Sequence, residues 1–147
     1  MSRPFAAPLT AVDTVDITDL ADTPAGGRVE AVKRIVADDP YLAGHYPDFT
    51  IYPGVFTLES VHQAIRHWAT RRHGPGTVAE LTAITSISFA APLLPGDTLR
   101  IGCDLTEQGG TPAAVRAKVR CHRADGALSA RMTLELRIDR TDDDDHA

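Results

Sequence analysis

Polar and apolar residues alternate strictly over three stretches in the second half of the chain. Leu99, Ile101, Cys103 and Leu105 alternate with polar or small residues, and Val115, Ala117, Val119 and Cys121 with Arg116, Lys118, Arg120 and His122. Leu128, Ala130, Met132, Leu134, Leu136 and Ile138 alternate with Ser129, Arg131, Thr133, Glu135 and Arg137. A period of two puts the apolar side chains of a run on one face, the pattern of antiparallel strands with one buried and one wet side. Gly109-Gly110 and Asp125-Gly126 separate the runs and predict hairpin turns. Weaker signals predict strands over 9–17, 28–37 and 78–91, the last of them bent. Asp22 to Gly27 reads as a turn, as does Asp39-Pro40. The period changes once. Leu58, Val61, Ile65 and Trp68 follow 3-4-3 spacing and predict an amphipathic helix over 53–72. Pro53 suits its first turn, and the H-G-P-G-T run from His73 stops it. One long helix among strands is an α+β layout.

Length and charge narrow this picture. A chain of 147 residues fits one domain with one core. The expected organisation is a mobile arm over 1–8, a single domain over 9–140 and an acidic, disordered tail over 141–147. Net charge is −5, carried largely by Asp142 to Asp145, so the body is close to neutral and composition does not suggest nucleic acid. No apolar run approaches the roughly 18 residues of a membrane span. The N-terminus is too short and too interrupted by Pro for a signal peptide, and a cytoplasmic location is expected. Cys103 and Cys121 read as buried free thiols rather than a disulfide. No His/Cys cluster has metal-ligand spacing, so no metal is expected.

The chemistry concentrates in residues 44–63, G-H-Y-P-D-F-T-I-Y-P-G-V-F-T-L-E-S-V-H-Q. His45 stands in a Pro-rich loop. Gly54 leaves its backbone bare at the positive end of a helix dipole, where free N–H groups suit an oxygen bearing negative charge. Glu59 and Gln63 are four apart and share one helix face. A buried carboxylate is costly without partners, so Glu59 either faces the surface or serves chemistry. Gln63 reads either as its hydrogen-bond partner or as ordinary packing. His62 reads as a neighbour of the pocket or of an interface.

The pattern H-x-P-x5-P-G-V-x3-E-x3-Q resembles the signature of the β-hydroxyacyl-acyl-carrier-protein dehydratases of type II fatty-acid synthesis. A second block over 87–99, I-S-F-A-A-P-L-L-P-G-D-T-L, is similar to that family's F-x-x-P-V-x-P-G-D-x-L segment. The resemblance runs from about residue 9 to 138. It implies a hot-dog fold, a long helix wrapped by an antiparallel sheet. It also implies His45 as catalytic base, Glu59 as catalytic acid and Gly54 as the amide that polarises the substrate carbonyl. Ile51 falls where a backbone carbonyl fixes the imidazole, and Gln63 where a Gln holds the acid. The implied reaction is dehydration of a 3-hydroxyacyl thioester to the trans-2-enoyl thioester, in fatty-acid or polyketide synthesis. The resemblance implies no cofactor beyond the phosphopantetheine arm of the acyl carrier protein that carries the substrate. The implied assembly is a homodimer or a multiple of dimers, with His from one protomer and acid from its mate.

Alternatives stay open: an obligate heterodimer with another hot-dog subunit, a non-catalytic subunit that binds the carrier, and a hot-dog thioesterase. Arg66, Arg71 and Arg72 read either as a solvated helix end or as contacts to an acidic carrier protein. The chain departs from the family pattern at Tyr46, Asp48, Thr50 and Tyr52, and lacks its H-R-x-P-F opening. These changes bear on the loop over the pocket and on substrate choice.

Overall fold

The alternating runs pair into one antiparallel sheet, and the 3.6-period run lies across it. The computed structural model describes residues 12–19, 26–35, 54–108 and 113–140. Its elements are β1 (Thr14–Asp19), β2 (Gly26–Arg34), α1 (Gly54–His73), β3 (Thr77–Phe89), β4 (Thr98–Glu107), β5 (Ala113–Arg123) and β6 (Leu128–Arg140). The strand order is β1-β2-β4-β5-β6-β3. Register aligns the inward residues across strands: Cys103 lies opposite Val119, and Val119 opposite Met132. Against this face α1 buries Val61, Ala64, Ile65 and Trp68 completely. This is the hot-dog arrangement.

The helix ends one residue later than its periodicity predicts, at His73, and Pro53 lies outside the described residues. Gly74 stops it: at φ +99 its N–H still reaches the Thr70 carbonyl at 2.8 Å, but an L side chain is disfavoured there. The first strand is found at Thr14–Asp19, with Val12 and Asp13 just before it. The second differs more. Gly26 and Gly27, expected in a turn, pair with Thr106 and Leu105 and open β2, which ends at Arg34 rather than at 37. The close approach explains the glycine: a Cβ on Gly26 would lie 2.0 Å from the Leu105 carbonyl oxygen. β3 carries two register irregularities, between Leu81 and Ala83 and between Ile84 and Ser86, in keeping with the expected bend. It is an edge strand whose second half is exposed along its length, Ile84, Ile87 and Phe89 included. The Asp125-Gly126 hairpin forms as expected, with Gly126 at φ +92. Asp39-Pro40, Gly109-Gly110, the arm over 1–8 and the tail over 141–147 lie outside the described residues.

The P-G-D part of the second motif is a clamp. Leu94 and Asp97 close a turn, with Asp97 N–H donating to the Leu94 carbonyl and Leu94 N–H to Asp97 Oδ2. The turn is tied to the end of β2 from both sides: Gly96 N–H donates to the Ile35 carbonyl, and Ile35 N–H to the Asp97 carbonyl. The clamp thus fixes the point from which the chain departs toward His45.

Cys103 and Cys121 are free and buried, on adjacent strands. Burial pushes both thiols up, Cys121 to about 12. Their folded values lie above the unfolded ones, so the unfolded chain loses these protons first. Stability is therefore whole below about pH 8.5 and falls as pH rises, by at most about 1.4 kcal/mol per pH unit per thiol. Urea unfolding at pH 8 and pH 10 is expected to show this loss, and native protein is expected to resist thiol reagents until unfolded. Ile65→Ala, at the centre of the buried helix face, is expected to cost about 2–5 kcal/mol, read from the same titrations at pH 8.

Candidate active site

The burial of Val61, Ile65 and Trp68 decides where the rest of α1 points. Glu59, Arg66 and Thr70 emerge on the opposite side, away from the sheet, and the Glu59 side chain is 39% exposed. Glu59 is therefore no unpaired core carboxylate. Gln63 Nε2 donates to its Oε1 at 3.3 Å, so of the two readings of Gln63 the structure shows the hydrogen-bond partner. Arg66 Nη2 approaches the same oxygen at 3.2 Å. That contact was not foreseen from the sequence, although a spacing of seven residues is two helical turns and returns to the same face. Oε2 has no hydrogen bond among the described residues.

Gly54 is the first residue of α1, so its N–H has no intrahelical acceptor. Its neighbour is the Phe89 ring. A Cβ there would meet Phe89 Cζ at 2.8 Å and the two ring Cε atoms at 3.1 Å. The Phe89 ring, itself 52% exposed, covers the start of the helix. The two sequence motifs thus meet in space, the Phe of the second over the Gly of the first. Sequence reasoning missed this pairing, because thirty-odd residues and a strand separate the two positions. Gly54 and Glu59 lie five residues apart, about 7.5 Å along the axis.

The flanks of α1 are tied down. His62 Nε2 lies 2.7 Å from the Ala79 carbonyl and fastens the helix to β3. Arg72 Nε and His73 Nε2 both reach Glu107 Oε1 at 2.9 Å, joining the helix end to β4. Arg72 is thus paired and partly buried rather than a free solvated charge. His73 also meets the Trp68 ring edge-on, with centroids 6.1 Å apart. His45 and Ile51 lie outside the described residues, so the structure brings together Gly54, Glu59 and Gln63 from the expected set. Among the described residues no group of three or more His, Cys, Asp or Glu is placed to hold a metal ion. No helix among them is long and apolar enough to cross a membrane.

Residues 21–140 match the ApeI-like family, described as ApeI dehydratase. The chain belongs to this dehydratase family. A curated relative, the 3-hydroxyacyl-[acyl-carrier-protein] dehydratase FabZ of Psychromonas ingrahamii, is 37% identical over 99 residues, 65% of this chain and 63% of that protein. The aligned part is thus just under two thirds of that relative's length. Among solved structures, the dehydratase heterocomplex ApeI:P from Xenorhabdus doucetiae superposes with a TM-score of 0.56 at 20% identity, over 78% of this chain and 91% of that one. The fluoroacetyl-CoA thioesterase FlK superposes at 0.66 with 17% identity, over 84% and 93%. At these identities both structures establish the shared fold.

Within this ApeI-like chain the contact of Gly54 with Phe89 is open to a direct test. Gly54→Ala is expected to destabilise the protein, and Phe89→Ala to relieve most of that cost. The double-mutant cycle, from denaturant unfolding of all four proteins, should return a coupling of about 0.5–3 kcal/mol. Additive effects would show that the ring does not set the requirement for glycine.

Proposed function

We propose that the protein catalyses reversible dehydration of a 3-hydroxyacyl thioester, carried on an acyl carrier protein, to the trans-2-enoyl thioester. The observation that carries this reading is the Glu59 carboxylate. It is held by Gln63 on the outward face of α1 and lies one and a half turns from the N–H of Gly54 at the helix start, in a chain of a dehydratase family. Gly54 N–H polarises the thioester carbonyl and so acidifies the α-proton; a donor of this kind is typically worth about 2.7–4 kcal/mol. Neutral His45 takes that proton, its imidazole fixed by the Ile51 carbonyl. The electron pair forms the α,β double bond as the β C–O bond breaks, and Glu59 protonates the departing hydroxyl, which leaves as water. Glu59 must enter this step as the neutral acid, because it gives up a proton. Its contact with Arg66 is exposed and worth at most about 1 kcal/mol, so opening it costs little.

Assembly follows from what one chain leaves open. Glu59 faces solvent, so the site needs a second wall. The free edge of β3, with Ile84, Ile87 and Phe89 exposed, is a strand built to pair. A two-fold dimer would supply both the wall and the mate's His45. A second reading gives that role to a different hot-dog subunit, and the heterocomplex ApeI:P motivates it. A cytoplasmic setting accords with two free thiols. No cofactor is needed beyond the carrier's arm.

Mass spectrometry of carrier-bound 3-hydroxyacyl chains incubated with the pure protein tests the activity; loss of 18 Da from none of them would refute it. Glu59→Gln keeps shape but has no proton to give. It should lower turnover by about 10²-fold or more while the unfolding midpoint changes little. Mixing inactive His45→Ala and Glu59→Gln chains under subunit exchange should restore roughly a quarter of wild-type activity. About half of all dimers would be mixed, each with one intact site of two. Proven exchange without recovery would place the site within one chain or with another partner.

A further inference from the structure

The wet face of the sheet, turned away from α1, holds a hollow of about 820 Å³. Arg100, Lys118, Arg120, His122 and Arg131 line it from three adjacent strands. Register sets base against base: Arg120 lies directly opposite Arg131, and Arg100 opposite His122. Like charges so placed repel. Gly102, on the other side of Arg120, has no side chain and leaves the hollow open. Other arginines of the sheet are engaged. Arg28 holds Glu30 and Asp104, Arg116 holds Glu135, Arg123 holds Asp125 and Arg137 holds Glu80. Arg100, Lys118, Arg120 and Arg131 have no carboxylate within 4 Å among the described residues. The acidic groups lining the hollow are Asp16, Glu30 and Asp104, and the last two already hold Arg28.

We infer that the anion for this patch is the Asp142–Asp145 run of a second copy of this chain, laid across Arg131 and Arg120. The inference rests on the proposed two-fold dimer through β3. Charge supports it, since the run sets four carboxylates in a row against a cluster of unpaired cations. Reach supports it too. Arg131 lies nine residues before Arg140 on β6, about 30 Å away. Asp145 is five residues past Arg140 and extends at most about 18 Å from it, so a chain's own run falls short of its own Arg131. The mate's run does not. β3 pairs antiparallel with β6, Thr77 beside Arg140 and Phe89 beside Ala130. Pairing β3 with the mate's β3, helices on one side, turns the mate end for end. The mate's β6 then finishes toward the Ala130 end of this sheet. The two β6 strands are three strand spacings apart, about 14 Å. Arg131 is next to Ala130, and Arg120 is its neighbour across the strands. By symmetry each copy gives one run and receives the other, so the contact straps the dimer twice.

Carbodiimide couples a carboxylate to an amine in direct contact, and Arg131→Lys puts an amine at the nearest point while keeping the charge. Isotope-labelled and unlabelled chains of this variant are mixed, exchanged, cross-linked and digested, and the peptides weighed by mass spectrometry. Links from the introduced amine to Asp142–Asp145 are expected between one labelled and one unlabelled peptide. They should vanish in about 0.5 M salt, which screens exposed charges. Links confined to one label would place the run on its own chain. No links in a proven dimer would leave the patch to an outside anion. Either result overturns the inference and leaves the dimer standing. Ile84→Glu, on the exposed edge of β3, is expected to separate the copies and abolish the links. Mixed-label links that survive it would refute the β3 dimer and uphold the contact. Changing Asp142 to Asp145 together to Asn should weaken the dimer by about tenfold at low salt, as a set of exposed ion pairs allows. The difference should close at high salt. Sedimentation over a dilution series reads this without any need of turnover, and equal dissociation constants at low salt would count against the strap.

Discussion

One constraint organises the molecule: α1 must bury a single face against a sheet that is apolar on one side. Val61, Ala64, Ile65 and Trp68 are fully enclosed, and each large side chain so placed contributes about 1.5–3 kcal/mol. Rotating the helix would expose that stripe and bury Glu59, Arg66 and Gln63 in its place. The cost of desolvating those groups locks the rotation. The direction of the candidate acid is thus a by-product of core packing. Its carboxylate needs no strained conformation to face outward.

The two sequence blocks serve this arrangement differently. In the second block the P-G-D turn works at the margin of the sheet, clamping Ile35 where β2 ends. Its Phe89 works at the centre and covers the start of α1 at Gly54. A motif that reads as one unit along the chain therefore splits into an anchor for the end of β2 and a cover for the start of α1. A side chain at 54 would have to displace the Phe89 ring.

Glu59 is held by an amide and a guanidinium on one oxygen. Gln63 suits a positioning task, being neutral and able to donate to the carboxyl in either protonation state. Arg66 approaches the same oxygen at 3.2 Å, and the pair is weak because it is exposed.

Local pattern determined much of this by itself. Period-two alternation in 99–105, 115–121 and 128–138 located three strands and named most of their inward residues; the start of the last differs, where Ser129 is buried and Leu128 only half-buried beside the irregular pairing at Cys121 and His122. The 3-4-3 stripe located the helix, and a spacing of four put Gln63 on Glu59. Weakly patterned segments were less legible. Gly26 and Gly27 read as a turn because glycine usually marks one. Only the pairing of β2 with β4 shows that the chain stays extended there, pressed against the Leu105 carbonyl. The cover of Gly54 by Phe89, the tie of Arg72 and His73 to Glu107, and the bare edge of β3 were likewise invisible. Each joins or exposes residues through strand order, and strand order is set by how non-local segments share one core. No periodicity within a segment carries that information.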